Sequence, residues 1–276
     1  MAGFPAPLVV VGNEKGGSGK TTVAIHLVAG AMGAGLRVGG IDLDHRQKSF
    51  SHFFENRVRW AERAERNYPL PKLALVHASA RETKALAEGE EARRLSAAVG
   101  ELSAECDVII VDCPGADTAL GRAAHATASV IVTPLNDSFV DFDLLAGVDP
   151  ETYEAKAPSI YAEFVWESRK RHMIEKRKTI DWLVVRNRMS SIETRNQRRV
   201  SEALSKLSQR IGFRLSPGLT ERVIYRELFP KGLTVLDLIE GKTRGITMGQ
   251  IAARAEVRAL LAALRLPQFS KIAAAG

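Results

Sequence analysis

Between positions 12 and 22 the chain reads Gly12-Asn13-Glu14-Lys15-Gly16-Gly17-Ser18-Gly19-Lys20-Thr21-Thr22, a mixture of glycines, lysines and hydroxyls suited to holding phosphate. Glycines lack Cβ, so successive backbone N–H groups can converge on the oxygens of a triphosphate, and a helix that follows adds the positive end of its dipole. Gly16, Gly17, Ser18 and Gly19 would form that cradle. Lys20 would reach the β- and γ-phosphates, Thr21 would ligate Mg²⁺, and Thr22 would lie within reach of the α-phosphate. The apolar run before the loop, Leu8 to Val11, and the apolar helical stretch after it, Val23 to Met32, supply the strand and helix such a loop needs. The commonest form of the motif requires glycine at position 14; here Glu14 stands there, and an additional lysine, Lys15, opens the loop. A turn exposing two lysines is the plainer explanation, but it accounts for neither the strand before nor the helix after.

Three more polar clusters follow apolar runs: Ile41-Asp42-Leu43-Asp44, Val111-Asp112-Cys113-Pro114-Gly115 and Val185-Arg186-Asn187-Arg188. Asp42 and Asp44 are either a solvated acidic pair or a site at a strand's carboxyl end, and Asn187 either binds a ligand or caps a strand. The elements that must place them alternate along the chain. Strands are expected at 8–12, 38–43, 73–77, 108–112, 129–133 and 182–186, with helices over stretches such as 21–32 and 91–104. Val108-Ile109-Ile110-Val111 is continuously apolar, as a strand covered on both faces is. The pattern predicts an α/β chain, a mostly parallel doubly wound sheet with helices on both faces, whose ligands gather at the carboxyl ends of the strands.

The 276 residues, 45% hydrophobic and 26% charged, fit a single domain over 1–276, with an insertion near 150–179 and a C-terminal docking helix near 247–265. That last helix places Ile251, Val257, Leu260, Leu261 and Leu264 on one stripe. It is alanine-rich and lacks the aromatics and multiple lysines of an interfacial anchor, so it is expected to dock on the body without stable membrane insertion. The insertion carries Tyr153, Tyr161, Phe164 and Trp166 ahead of two basic clusters, 169–172 and 176–178. The aromatics are expected to pack into core more than to dock a partner, and the basic clusters to face water. Cys106 and Cys113 are too few for a disulfide framework and form no CxxC pair, so both are read as buried packing residues in a reducing cytoplasm. Positions 1–7 carry no positive charge, the run at 8–11 is too short for a signal sequence, and no stretch of 18 apolar residues occurs.

Charge is segregated. Residues 1–150 hold 15 Lys and Arg against 19 Asp and Glu, and residues 151–276 hold 24 against 13; the two halves, −4 and +11, give the net +7. In the basic half a helix is expected over 191–211, opened by a Ser190-to-Glu193 capping box. Val200, Ala203, Leu204, Leu207 and Ile211 share one arc of it, while Arg195, Arg198, Arg199 and Lys206, interrupted by Glu202, lie opposite. Such a stripe suits the phosphates of DNA without reading bases; a solvated helix face is the alternative, and the segregation of charge favours DNA. Arg222 would extend the patch.

On these residues the chain resembles the deviant-Walker (ParA/MinD) ATPases. The resemblance implies a P-loop NTPase with ATP as nucleotide, Mg²⁺ as cofactor and slow regulatory hydrolysis. It implies that Asp112 holds the magnesium water shell, Asp42 supports the metal side, Asp44 orients the attacking water and Asn187 recognises adenine. Lys15 would cross into a partner's site and contact its ATP, making the nucleotide the glue of a homodimer, with Lys15, Lys20 and Asp44 as the catalytic set. Missing cluster cysteines, a missing CxxC and a tail without tyrosines argue against the redox, cluster-scaffold and tyrosine-kinase branches.

Four further stretches, 13–17, 53–57, 134–143 and 222–230, are similar to the MipZ family of division-site regulators. That similarity implies an ATP-driven monomer–dimer cycle, recruitment by ParB at the cell poles, nonspecific DNA binding on the nucleoid and inhibition of FtsZ assembly. A ParA-type DNA-partitioning ATPase and, further off, a MinD-like membrane-associated switch are the competing branches.

Overall fold

A computed structural model describes residues 6–149, 151–152, 154–190, 194–238 and 247–269. In chain order the elements are β1 (Leu8–Val11), α1 (Lys20–Gly33), β2 (Val38–Asp42), α2 (Ser49–Ala64), β3 (Lys72–Leu75), α3 (Lys84–Ser103), β4 (Val108–Asp112), α4 (Ala119–Thr127), β5 (Val130–Asn136), α5 (Phe139–Phe142), β6 (Ala146–Val148), β7 (Ala155–Pro158), α6 (Ile160–Lys176), β8 (Asp181–Asn187), α7 (Arg195–Ile211), β9 (Arg214–Ser216), α8 (Ile224–Leu228) and α9 (Met248–Ala263). Among the described residues seven strands form one sheet in the order β3-β2-β4-β1-β5-β8-β9, all parallel. The doubly wound α/β architecture is thus as the apolar runs predict.

Side chains on a strand alternate between faces, and β1, at the centre, divides its own between two cores. Leu8 and Val10 pack with Leu95, Leu120 and Trp182 on one face; Val9 and Val11 pack with Val23, Leu27 and Leu261 on the other. On the second face α9 lies over α1, and a Cβ on Gly30 would sit 2.1 Å from Leu261 Cδ1. Only a glycine lets the helices approach so closely there. Val257, Leu260, Leu261 and Leu264 are buried as the stripe predicts, but Ile251 is exposed: the buried face begins at Ala253, one turn into the helix.

Several elements differ from expectation. β5 continues through Pro134 to Asn136. β1 pairs only as far as Val132, so the missing N–H of Pro134 costs no hydrogen bond. The short hairpin of β6 and β7 and the three-residue β9 are too brief for a legible pattern. The expected insertion holds β7 and α6, and α6 supplies the crossover between parallel β5 and β8, burying Tyr161, Ala162 and Val165. Phe164 is half-buried, Trp166 is exposed, and Tyr153 lies outside the described residues. Helix α7 begins at Arg195, not 191, with Thr194 as its N-cap, and Met189 before it bridges Thr220. Its capping box is formed by Thr194 and Gln197; Glu193 of the expected box lies outside the described residues.

Candidate functional site

The glycine loop leaves the central strand at Gly12, whose N–H donates to Val132 O at 2.9 Å. Asn13 fixes the turn from both sides: its Nδ2 donates to Pro134 O, and its Oδ1 accepts the N–H of Lys15, each at 2.6 Å. Gly17 and Gly19 have φ of 74° and 88°, a region costly for residues with Cβ. At Gly19 a side chain would also meet Asn187 Nδ2 at 2.0 Å. Gly19 is the N-cap of α1 and offers no side chain, so the first N–H groups of that helix remain available to an anion, together with the dipole's positive end.

Lys20 opens α1 and is buried, its Nζ donating to the carbonyl of Lys15 at 2.8 Å within the loop. Burial lowers its pKa, with Asp112 opposing the shift. Lys15 behaves differently. Its Nζ turns away from the loop, forming an ion pair with Asp141 and donating to Val140 O at 3.0 Å, while the side chain stays 38% exposed. One lysine therefore sits inside the cradle and one on its rim.

The acidic residues converge from β2 and β4. Thr21 Oγ1 donates to Asp112 Oδ2 at 2.7 Å, and the buried Asp112 Oδ1 has no protein partner. Burial raises the Asp112 carboxyl to about 8. Asp42 is spoken for within its own chain: Oδ2 accepts the N–H and hydroxyl of Ser51 at the start of α2, and Oδ1 accepts the N–H of Asp44. Asp42 thus anchors the turn on which Asp44 stands. Asp44 is half-buried, with Oδ1 accepting from Gln47 N at 3.1 Å. The segment after β4 closes on the loop, since a Cβ on Gly115 would lie 3.1 Å from Gly16 Cα and 3.2 Å from Lys20 Nζ. Asn187, buried at the end of β8, donates to Ser18 O at 2.9 Å, so it braces the loop from the β5–β8 side. Thr22 lies in the first turn of α1, where its carbonyl meets His26 Nδ1.

Beneath the loop lies a polar network with no counterpart in the motifs. Trp182 Nε1 donates to Thr133 Oγ1, the Thr133 and Tyr161 hydroxyls are 2.9 Å apart, and Tyr161 Oη donates to Gly12 O at 3.0 Å. His125 Nδ1 meets Gly121 O at 2.7 Å and its Nε2 faces Tyr161 Oη at 3.2 Å. Donation to a carbonyl puts the His125 proton on Nδ1 and leaves Nε2 as an acceptor. Burial depresses its pKa to about 4 and pushes the Tyr161 hydroxyl up. A histidine and a tyrosine 36 positions apart carry no sequence signal for such a contact.

The second cluster of expected site residues is on α7. Arg195, Arg198, Arg199 and Lys206 are exposed, opposite buried Val200, Ala203, Leu204 and Leu207; Lys206 has Glu154 at 3.9 Å. Arg222 is held elsewhere, its guanidinium 2.6 Å from Glu256 of α9 in a site that also takes the N–H and hydroxyl of Thr220.

A glycine loop between a central strand and α1, flanked by carboxylates on the neighbouring strands, is an arrangement able to hold phosphate. A family model for the ATPase MipZ matches residues 7–268. The chain belongs to the MipZ ATPase family. It is an ATPase, and an ATPase must bind nucleotide. Solved structures with the same fold include a McdA variant in complex with ATP from Cyanothece, 18% identical with a TM-score of 0.64 over 95% of this chain and 97% of that one. MinD complexed with Mg-ADP from Pyrococcus horikoshii is 16% identical with a TM-score of 0.56, covering 94% and 96%. A putative plasmid partition protein from Borrelia burgdorferi bound to AMPPNP is 14% identical with a TM-score of 0.56, covering 94% and 99%. No curated protein matches the chain. Among the described residues no helix is long and apolar enough to cross a membrane.

Proposed function

We propose that this MipZ-family ATPase is a switch: ATP closes two copies into a dimer, the dimer binds DNA nonspecifically and restrains FtsZ assembly, and hydrolysis resets it. The observation that carries the reading is the division of labour between the two lysines. Lys20 fills the cradle, while Lys15 stands half-buried on the rim, its Nζ held by Asp141 and turned away from its own loop, as suits a lysine that serves a neighbour's triphosphate. Two cations around one γ-phosphate offset the charge that collects on its oxygens during transfer. Asp44, set on the anchor of Asp42, orients the attacking water, and Asn187 supports the loop beside the adenine site.

The residues fit Mg²⁺. A hydroxyl and a buried carboxylate with an unpartnered oxygen are hard donors, suited to an ion that takes the rest of its shell from phosphate and water. Thr21 and Asp112 would hold it, where it would neutralise phosphate charge. ParB, the polar recruiter of the family resemblance, would act on the monomer, placing the protein in the cytoplasm between poles and nucleoid.

Sedimentation of the wild type and Lys15→Ala with ATP or ADP tests the dimer. The wild type should double in mass with ATP only, and Lys15→Ala should bind ATP and stay single. A normal ATP dimer of Lys15→Ala would remove the cross-subunit role. FtsZ pelleting then separates the branches, because a purely partitioning ATPase would dimerise on DNA and leave FtsZ assembly unchanged.

A further inference from the structure

Helix α6 already gives one full face to the core through Tyr161, Ala162, Val165, Ser168 and His172. Its opposite face should then be polar. Instead Ile160 is 83% and Ile174 71% exposed, with Trp166 and Met173 exposed between them. Trp166, Lys170, Met173, Ile174 and Arg177 follow one another at spacings that set them in a row along the helix. Beside Trp166, between α6 and the end of α7, opens a groove of about 390 Å³ lined by Pro158, Ala162, Glu163, Arg210 and Ile211.

We propose that this face of α6 docks an amphipathic helix of a partner protein, apolar along one side and acidic toward the end that meets the C-terminal half of α6. The charges choose the occupant. Lys170, Arg171 and Lys176 in that half and Arg177 and Lys178 just after it outnumber its one acid, Glu175; Lys170, 3.8 Å from Glu167, lies over the Trp166 ring at 5.1 Å, so carboxylates beside apolar anchors find both their partners there. DNA would leave the four apolar side chains unused. An anionic membrane would meet Glu163 and Glu167 on the same face, between Ile160 and the basic end. The proposal rests on the division-site reading only for the choice of FtsZ as one probe.

Two double variants test it, Trp166→Ala with Ile174→Ser, and Lys170→Glu with Arg171→Glu. The probes are purified FtsZ, a labelled synthetic helical peptide with leucines on one side and glutamates on the other, its lysine counterpart, and phosphatidylglycerol vesicles. The wild type should bind the acidic peptide and not the basic one. Each double variant should bind it at least about tenfold more weakly, as truncation of aromatic anchors does, and should lose FtsZ inhibition while ATP turnover and DNA retention hold. Failure of the wild type to bind the acidic peptide, equal binding of both peptides, binding to vesicles alone, or acidic-peptide binding undiminished in both variants overturns the proposal. A wild type that binds the acidic peptide through α6 yet leaves FtsZ assembly untouched keeps the docking surface and ends the FtsZ reading instead.

Discussion

At the residue scale, the site divides into groups open to a ligand and groups that hold those in place. Asp44→Ala should leave ATP binding intact and slow hydrolysis by about 10²-fold or more, in the range of a lost water-orienting group, with dimer accumulating; unchanged turnover would take Asp44 out of the chemistry. His125 is a holding residue, and its burial has a pH signature. Its folded pKa, about 4, lies below the ordinary 6.5, so the unfolded chain takes up the proton first as pH falls. The neutral ring's full contribution is present above 6.5 and is lost between 6.5 and 4, on the order of 3 kcal/mol. His26, buried and shifted down as well, adds with the same sign. Urea midpoints of His125→Gln should therefore fall less over that window than those of the wild type; parallel curves would place the pH dependence elsewhere. The phosphate loop is legible in the sequence because local order, strand then glycines then helix, points to its chemistry, whereas the role of Asp112 is what the family resemblance implies. Asp141, Ser51 and Tyr161 are not legible, since each matters through a contact that the tertiary fold creates.

Elements tell a similar story. β4 and α1 are readable because a strand buried on both faces and a helix behind a glycine loop leave compositional marks; β6, β7 and β9 are too short to leave any. Helix α2 buries Phe50, Phe53 and Phe54 and, one turn on, an arginine, Arg57, so its buried face is not apolar throughout and leaves a weaker mark. Arg57 is 1% exposed at its side chain and meets Asp237 with both terminal nitrogens, at 2.9 and 2.6 Å, while Nη1 also donates to Gly232 O and Nε to Pro69 O. Burial pushes the Asp237 carboxyl up, but Arg57 and Thr234 more than offset this and hold it low. Arg57→Met should cost about 3–5 kcal/mol, since it leaves that carboxylate buried without its cation. Chemical denaturation gives the value, and a loss below about 1 kcal/mol, the range of a surface pair, would mean that water reaches Asp237.

For the whole molecule, the opposite charges of the two halves become spatial once α7 presents Arg195, Arg198, Arg199 and Lys206 together. Reversal of Arg195 and Arg199 to Glu should abolish DNA retention and spare ATP turnover. If about four to five phosphates are neutralised, log affinity should fall against log salt with a slope near −4. A salt-independent affinity, or retention that survives the reversal, would locate the contact away from α7. Arg222, closed on Glu256, should matter less to retention than any arginine of the α7 stripe.

Tyr161 gives α6 a second consequence. Its hydroxyl reaches from the inner side of that helix to the carbonyl of Gly12, the point from which the glycine loop springs. The exposed face of α6 and that carbonyl are thus joined through one helix and a single phenol ring.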